Sequence, residues 1–329
     1  MSTLFAILYT LGLCAGLVGL WLAGDRVVTT AVRLASALNV TKFFIGFIVL
    51  AIAAGVPELG VAIVSGLGNV GEVSAGDVIG ASLSDIGLVV AIVLICARSV
   101  PLKRSDRGKL IRMLFVVSGV LGFIFSIGYV DRTIGLFLTF FYGIALYFIW
   151  RKESPHDVWH DEVALFTEQI AEKKACNIKE CAWISFLLVT SLGAVFFCSW
   201  LTVESAVALA SVFTTKLEVI GATICAIGTS LPELAMSLTA LKNKEYELAI
   251  APTLGSILEH AMLVLGILGM TSSRAIYFTG LHGAGIFMFI AFALMALFLW
   301  AKRPLARWQG IILITLYIAY LVYEAIQLY

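Results

Sequence analysis

Residues 56–92, VPELGVAIVSGLGNVGEVSAGDVIGASLSDIGLVVAI, align without a gap with residues 231–267, LPELAMSLTALKNKEYELAIAPTLGSILEHAMLVLGI, at a constant offset of 175. Pro57 pairs with Pro232, Glu58 with Glu233, Leu59 with Leu234, Gly80 with Gly255, Leu83 with Leu258 and Ile92 with Ile267. Upstream, Ile45 and Gly46 pair with Ile220 and Gly221 at the same offset. Self-similarity of this kind means one structural unit used twice. Each copy is an apolar stretch interrupted by the same proline and glutamate.

With 61% hydrophobic and 13% charged residues and a mean hydropathy of +1.02, the chain departs from soluble domains, which are about half apolar and a quarter charged. A soluble globule is excluded. Apolar stretches repeatedly exceed the ~20 residues that a helix needs to cross a ~30 Å hydrocarbon layer. The alternating pattern of a membrane barrel is missing, so an all-α bundle follows. Hydropathy and polar breaks predict ten crossings, near residues 4–24, 40–66, 72–97, 110–129, 133–150, 181–202, 214–241, 247–271, 276–300 and 307–327. Lys and Arg test that count, because they accumulate on the cytoplasmic side of a membrane. Of the 22, only Arg132, Lys216 and Arg274 fall on one set of alternate loops and helix ends, and the rest fall on the other. The predicted topology therefore has both termini outside and the long connection after the fifth helix inside. Residues 4–23 lack a basic lead and read as a retained helix rather than a cleaved signal. A net charge of +1 gives no reason to expect nucleic-acid binding. Cys14, Cys96, Cys176, Cys181, Cys198 and Cys225 suggest neither disulfides nor a zinc site.

Two five-helix halves, residues 1–150 and 181–329, flank the predicted cytoplasmic loop at 151–180. An odd number of helices turns the second half over, which gives inverted repeats with broken helices, a transporter signature. A charge at a membrane-helix centre costs about 2.5 to 3.5 kcal/mol on the insertion scale, so it faces a cavity or a partner. Glu58 and Glu233 each follow a proline. Proline removes one backbone donor and frees a carbonyl one turn earlier, near Ala53 and Ala54 in one half and Gly228 and Thr229 in the other. Freed carbonyls beside a carboxylate form an oxygen site for a hard cation.

At these residues the sequence resembles the calcium/cation antiporter superfamily, which includes the sodium/calcium exchangers. That family carries two inverted repeats, each with a G-T-S-L-P-E segment followed on the next helix by G-S-N-I-F-N or G-S-N-I-F-D. Residues 228–233 reproduce the first motif intact, and the likeness extends to Gly24, Asp25 and Arg26 at the expected end of the first helix. The resemblance implies ion-coordinating glutamates at Glu58 and Glu233, the family's Asn or Asp positions at Asp85 and His260, and hydroxyl ligands at Thr229, Ser230 and Ser256. It also implies alternating access, with the first and sixth helices moving against a core of the second, third, seventh and eighth. The departures are concentrated in the first half. Ala53, Ala54, Gly55 and Val56 stand in the G-T-S-L positions, and Ala81 replaces the serine after Gly80. Asp85 holds an asparagine-type position, His260 a position that is often acidic, and Glu259 a position where the family has a bulky apolar residue.

Glu58, Asp85 and Glu233 still supply oxygens for a divalent ion. The expectation is a secondary-active antiporter exchanging Ca2+ for Na+, a monomer in the cell membrane with inorganic cations as its partners, no resident cofactor and no enzyme chemistry. The lost hydroxyls count against sodium sites. His260, with an unperturbed pKa of about 6.5, makes a proton-coupled divalent antiporter the rival, with His260 and Asp85 as its proton sites. A cation channel or a non-transporting scaffold is the reading from another class, and no selectivity-filter ring supports a channel. The bland alternatives are structural. Glu58 and Glu233 would tie helices together, and Asp85 would bond Ser82 or Ser84. His260 would be a packing donor and Glu259 would pair with it or with another helix, while Thr229, Ser230 and Ser256 would bond along their own helices. In the loop, His156 and His160 beside Asp157, Asp161 and Glu162 have metal-like spacing, set against a solvated acidic loop. Val163, Phe166 and Ile170 suggest a short surface helix there.

Overall fold

The computed structural model describes residues 3–37, 55–97, 99–102, 104–152, 178–213, 215–242, 246, 249–301 and 303–327. Its helices are α1 (Thr3–Ala37), α2 (Val56–Leu67), α3 (Gly71–Ala97), α4 (Arg104–Ile127), α5 (Arg132–Lys152) and α6 (Ile178–Val212). Then come α7 (segments Leu217–Ile220, Gly221–Cys225 and Ala226–Thr229), α8 (Leu231–Lys242) and α9 (segments Ala251–Glu259, His260–Val264 and Leu265–Thr271). The last two are α10 (His282–Trp300) and α11 (Arg307–Gln327). Among the described residues, eight candidate spans are long and apolar enough to cross a membrane, and Val56–Leu67 and Arg132–Tyr147 are shorter apolar helices. The protein is an integral, multi-pass helical membrane protein.

The 175-residue offset reappears in the backbone. Helices α1 and α6 have 35 residues each, α2 and α8 have 12 each, and α5 and α11 have 21 each, with starts 175 apart in every pair. Helix α3 widens into a π segment at Asp85–Val90, and α9 does so at the matching His260–Val264. Two short ladders recur as well, β1 (Ser99–Val100) with β4 (Leu305–Ala306) and β2 (Tyr129–Val130) with β3 (Ile276–Tyr277), both antiparallel.

Helices α1 and α6 run well beyond the expected 4–24 and 181–202, which corrects the predicted ends. Hydropathy registers only the part lying in hydrocarbon, and exposed Asp25, Arg26 and Glu204 do not stop a helix. At 1.5 Å per residue each is about 52 Å long, which a ~30 Å layer accommodates by tilt or protrusion. The two pack along each other through small residues. A β-carbon added at Gly12 would lie 2.7 Å from Ser205 Oγ, and one at Gly16 would lie 3.0 Å from Thr202 N. Small residues one turn apart let membrane helices approach this closely.

The centre belongs to α3 and α9. Of the apolar window of α3, 83% is buried, and of α9 72%, against 22% for α1 and 6% for α6. Helix α5 packs on α9, where Gly135 meets the backbone of Gly266 and Gly269, and α11 packs on α3, where Gly310 meets Ala91 and Leu94. These contacts too are 175 residues apart. Elements from both halves of the chain thus build one core.

Two further expectations are settled here. Cys181 is disulfide-bonded, which corrects the expectation of no disulfides, since spacing alone does not fix which thiols meet. Residues 153–177, including His156, Asp157, His160, Asp161, Glu162, Val163, Phe166 and Ile170, lie outside the described residues, as do Ala53 and Ala54.

Candidate functional site

A helix begins at the matching position before each glutamate, and in the second half it follows a break in the helix at Ser230. Gly55 precedes α2 with φ −88° and ψ 13°, and Ser230 separates α7 from α8 with φ −80° and ψ −3°. Each residue's carbonyl starts the next helix, accepting from Leu59 N at 2.8 Å and from Leu234 N at 3.1 Å. Proline sits naturally in a first turn, where its missing N–H has no partner to lose. The first turns of α2 and α8 also hold Glu58 and Glu233, where the positive end of the helix dipole faces a carboxylate.

Both glutamates are buried, Glu58 at 1% exposure and Glu233 at 6%. Neither oxygen of Glu58 has a hydrogen-bond partner, and Glu233 Oε2 has none. Asp85 opens the π segment of α3 with Oδ1 unpartnered. Its Oδ2 accepts from Ser256 Oγ at 2.8 Å and lies 3.7 Å from His260 Nδ1. The repeat mates Asp85 and His260 therefore face each other across α3 and α9, joined by half-buried Ser256. Ser230 Oγ is buried and unpartnered. The structural alternative for Asp85, a bond to Ser82 or Ser84, is not formed, since Ser82 Oγ donates to Val78 O at 2.8 Å on its own helix and Ser84 Oγ has no partner.

One carboxylate was missed by sequence reasoning. Asp77, fully buried on α3, accepts a hydrogen bond from Thr229 Oγ1 at 3.1 Å, and its Oδ2 is unpartnered. A close helix crossing sets this pair. A β-carbon at Gly221 would lie 3.0 Å from Asp77 N, and one at Gly76 would lie 2.9 Å from Ala222 N, so α3 and α7 touch backbone to backbone. Asp77 carried no repeat signal, since its mate at the offset of 175 is Pro252.

Glu58 lies within electrostatic reach of Glu233, Asp77 and Glu259, and Glu233 within reach of Asp85 and Asp77. Glu259 is buried at 4% exposure with Oε1 unpartnered. Among the described residues no three His, Cys, Asp or Glu side chains converge closely enough to hold one ion by themselves. The carboxylates are spread around the junction of α2, α3, α7, α8 and α9 rather than clustered. Among the described residues, the buried basic side chains are His260 and Arg107. Arg107 is committed elsewhere, with Nε donating to Leu102 O at 3.1 Å and a terminal nitrogen to Arg303 O at 2.6 Å. Among the described residues, five buried carboxylates thus lie around one helix junction with no buried Lys, and the buried Arg107 is bonded elsewhere.

A family model described as sodium/calcium exchanger protein matches residues 8–151 and 183–325. The chain belongs to the sodium/calcium exchanger family. Its relatives include the putative antiporter CaxA of Alkalimonas amylolytica, 30% identical over 327 residues with 94% of this chain and 97% of the relative covered. The sodium/calcium exchanger MaX1 of Methanosarcina acetivorans is 24% identical, with 94% and 96% covered. The fold is also that of the sodium-calcium exchanger NCX_Mj in a crystal soaked without Na+ and Ca2+, with a TM-score of 0.59, 23% identity and 98% and 99% covered. Membership in the exchanger family makes this chain a membrane transport protein rather than an enzyme.

Asp77→Asn keeps an acceptor for Thr229 but removes a charge. It is expected to weaken Ca2+ binding by about tenfold, measured by calorimetry in detergent, because ligand charge count tunes calcium affinity over decades. Unchanged affinity would make Asp77 only a structural acceptor.

Proposed function

We propose that the chain is a secondary-active antiporter exchanging Ca2+ for Na+ by alternating access, built as two inverted five-helix halves with ten crossings and both termini outside. The observation that carries this reading is the set of buried carboxylates with unpartnered oxygens, Glu58, Asp77, Asp85, Glu233 and Glu259, next to the helix start after Gly55 and the helix break at Ser230. Ionised carboxylates without counter-charge are too costly in a low-dielectric interior, so the site calls for cations. Oxygen ligands alone suit a hard ion such as calcium. Glu58, Asp85 and Glu233 are the proposed central ligands, and because among the described residues no three such side chains converge on one point, the shell is completed by Thr229, Ser230, Ser256, His260, Glu259 and backbone carbonyls. All of them lie on one chain, so the monomer is the working unit.

Exchange follows from the same cost. A site that crosses only when neutralised cannot return empty, so one cation must replace another. The 35-residue α1 and α6 touch the core through Leu17 at Gly228, Gly24 at Pro57 and Gly60 at Ser199. They are the pair that would slide to open either side. A second reading, in which protons replace sodium, is favoured by the 3.7 Å approach of His260 to Asp85 and by the missing hydroxyl at Gly55.

Radiocalcium uptake into proteoliposomes tests both. With a sodium gradient alone imposed, uptake is expected at least about tenfold above protein-free liposomes, and a pH gradient alone should leave it at background. Uptake driven by pH alone would replace sodium by protons. Uptake driven by neither gradient would overturn calcium antiport.

A further inference from the structure

The two halves differ at two pairs of matching positions. Gly55 stands where the second half has Ser230, and Glu259 stands where the first half has Ser84, each at the 175-residue offset. Ser230 and Ser84 are both buried, at 2% and 0% exposure. In the structure the two odd residues meet. A β-carbon built on Gly55 would overlap Glu259 Oε1 and lie 2.6 Å from its Cδ and 3.1 Å from Oε2. The carboxylate of Glu259 thus fills the space that a side chain at position 55 would take.

Oε1 of that carboxylate is buried without a hydrogen-bond partner. It lies at the positive end of α2, three residues ahead of Glu58, whose two oxygens are also unpartnered, and within electrostatic reach of Glu58 and Glu233. A hydroxyl in one half is therefore matched by a carboxyl group in the other.

We propose that Gly55 and Glu259 form one unit, a carboxylate subsite standing in the place of a seryl hydroxyl, and that this subsite makes the first-half side of the site select a divalent over a monovalent cation. The ligand part rests on the cation-antiport reading above; the packing part does not. Glycine at 55 is required because any larger residue displaces the carboxylate. A carboxylate added beside Glu58 raises the ligand charge that a divalent ion satisfies best.

Four proteins decide it, the wild type, G55S, E259S and G55S/E259S, with E259Q as a variant that removes the charge while keeping the side-chain volume. Their unfolding temperatures in a detergent solution free of metal cations test the unit, and Ca2+ and Na+ titrations by calorimetry test the selectivity. G55S is expected to lower the unfolding temperature, and the double variant to recover it, since residues in contact are not additive. E259Q and E259S are each expected to weaken Ca2+ binding by at least about tenfold and to leave Na+ binding within about threefold. Single-site effects on unfolding that simply add would overturn the unit. Ca2+ affinity within about twofold of wild type in E259Q would overturn the ligand role. A wild type that binds neither cation would overturn the antiport reading and the ligand role with it, while the four unfolding temperatures would still decide the packing unit.

Discussion

Glu233→Gln is expected to reduce Ca2+ flux by about a hundredfold while leaving thermal unfolding within a few degrees of wild type. The side chain is buried at 6% exposure, and Oε2 has no partner in the protein. Glutamine keeps the volume and sheds the charge, so little protein contact is lost and the empty site becomes less repulsive toward Asp85 and Asp77. What disappears is the attraction for the transported ion. Removing one partner of a buried charge pair costs about 3–5 kcal/mol, and about 2.7 kcal/mol already corresponds to a hundredfold in affinity. The check is radiocalcium flux in proteoliposomes beside a melting curve of the same preparation. Flux within about threefold of wild type, on a well-folded variant, would reduce Glu233 to a helix-tying carboxylate.

Gly80→Val is expected to abolish accumulation of folded protein. A β-carbon there would lie 2.6 Å from Ala222 C and 2.7 Å from Ala222 Cα, so the obstacle is backbone and cannot rotate away. Ala222 is also held from its other side, since its carbonyl accepts Tyr320 Oη at 2.7 Å from α11. Valine would therefore push α3 from α7 along the crossing shared by Gly76, Gly80 and Gly221, and would separate Asp77 from Thr229. Overpacking of a tight core typically costs about 1–3 kcal/mol and more where nothing can yield, against a total stability of about 5–15 kcal/mol in well-studied domains. Size-exclusion chromatography of the detergent-solubilised variant reads the outcome. Gly119→Val is the control, because nothing lies within 4 Å of that position on α4, and it should elute like wild type.

Much of this architecture was legible in the sequence because the repeat is gapless. Aligning residues 56–92 with 231–267 marked the prolines before Glu58 and Glu233 as places where helices change and the two glutamates as matched intramembrane carboxylates, but gave no sign that the mates Asp85 and His260 lie 3.7 Å apart. The same symmetry hid other features. Asp77 has a proline as its mate, so a search for matched carboxylates passes over it, and only the close crossing at Gly221 brings it to Thr229. The π segments at Asp85–Val90 and His260–Val264 lie in the buried central helices α3 and α9, and hydropathy carries no signal of them. Helix ends in α1 and α6 escaped for a related reason, since a membrane sets the apolar length and not the helical length. The sequence comparison that marked Glu259 as an oddity and Gly55 as a lost hydroxyl gave no hint that the two touch.

The central claim is obligatory exchange at a shared carboxylate site, and trans-dependence of efflux tests it most directly. Proteoliposomes loaded with radiocalcium and diluted into choline medium should retain their label, and should release it at least about tenfold faster when Ca2+ or the coupling cation is supplied outside, because the empty, charged site cannot return. Equal release into choline medium with and without an external cation would contradict exchange and make the protein a channel.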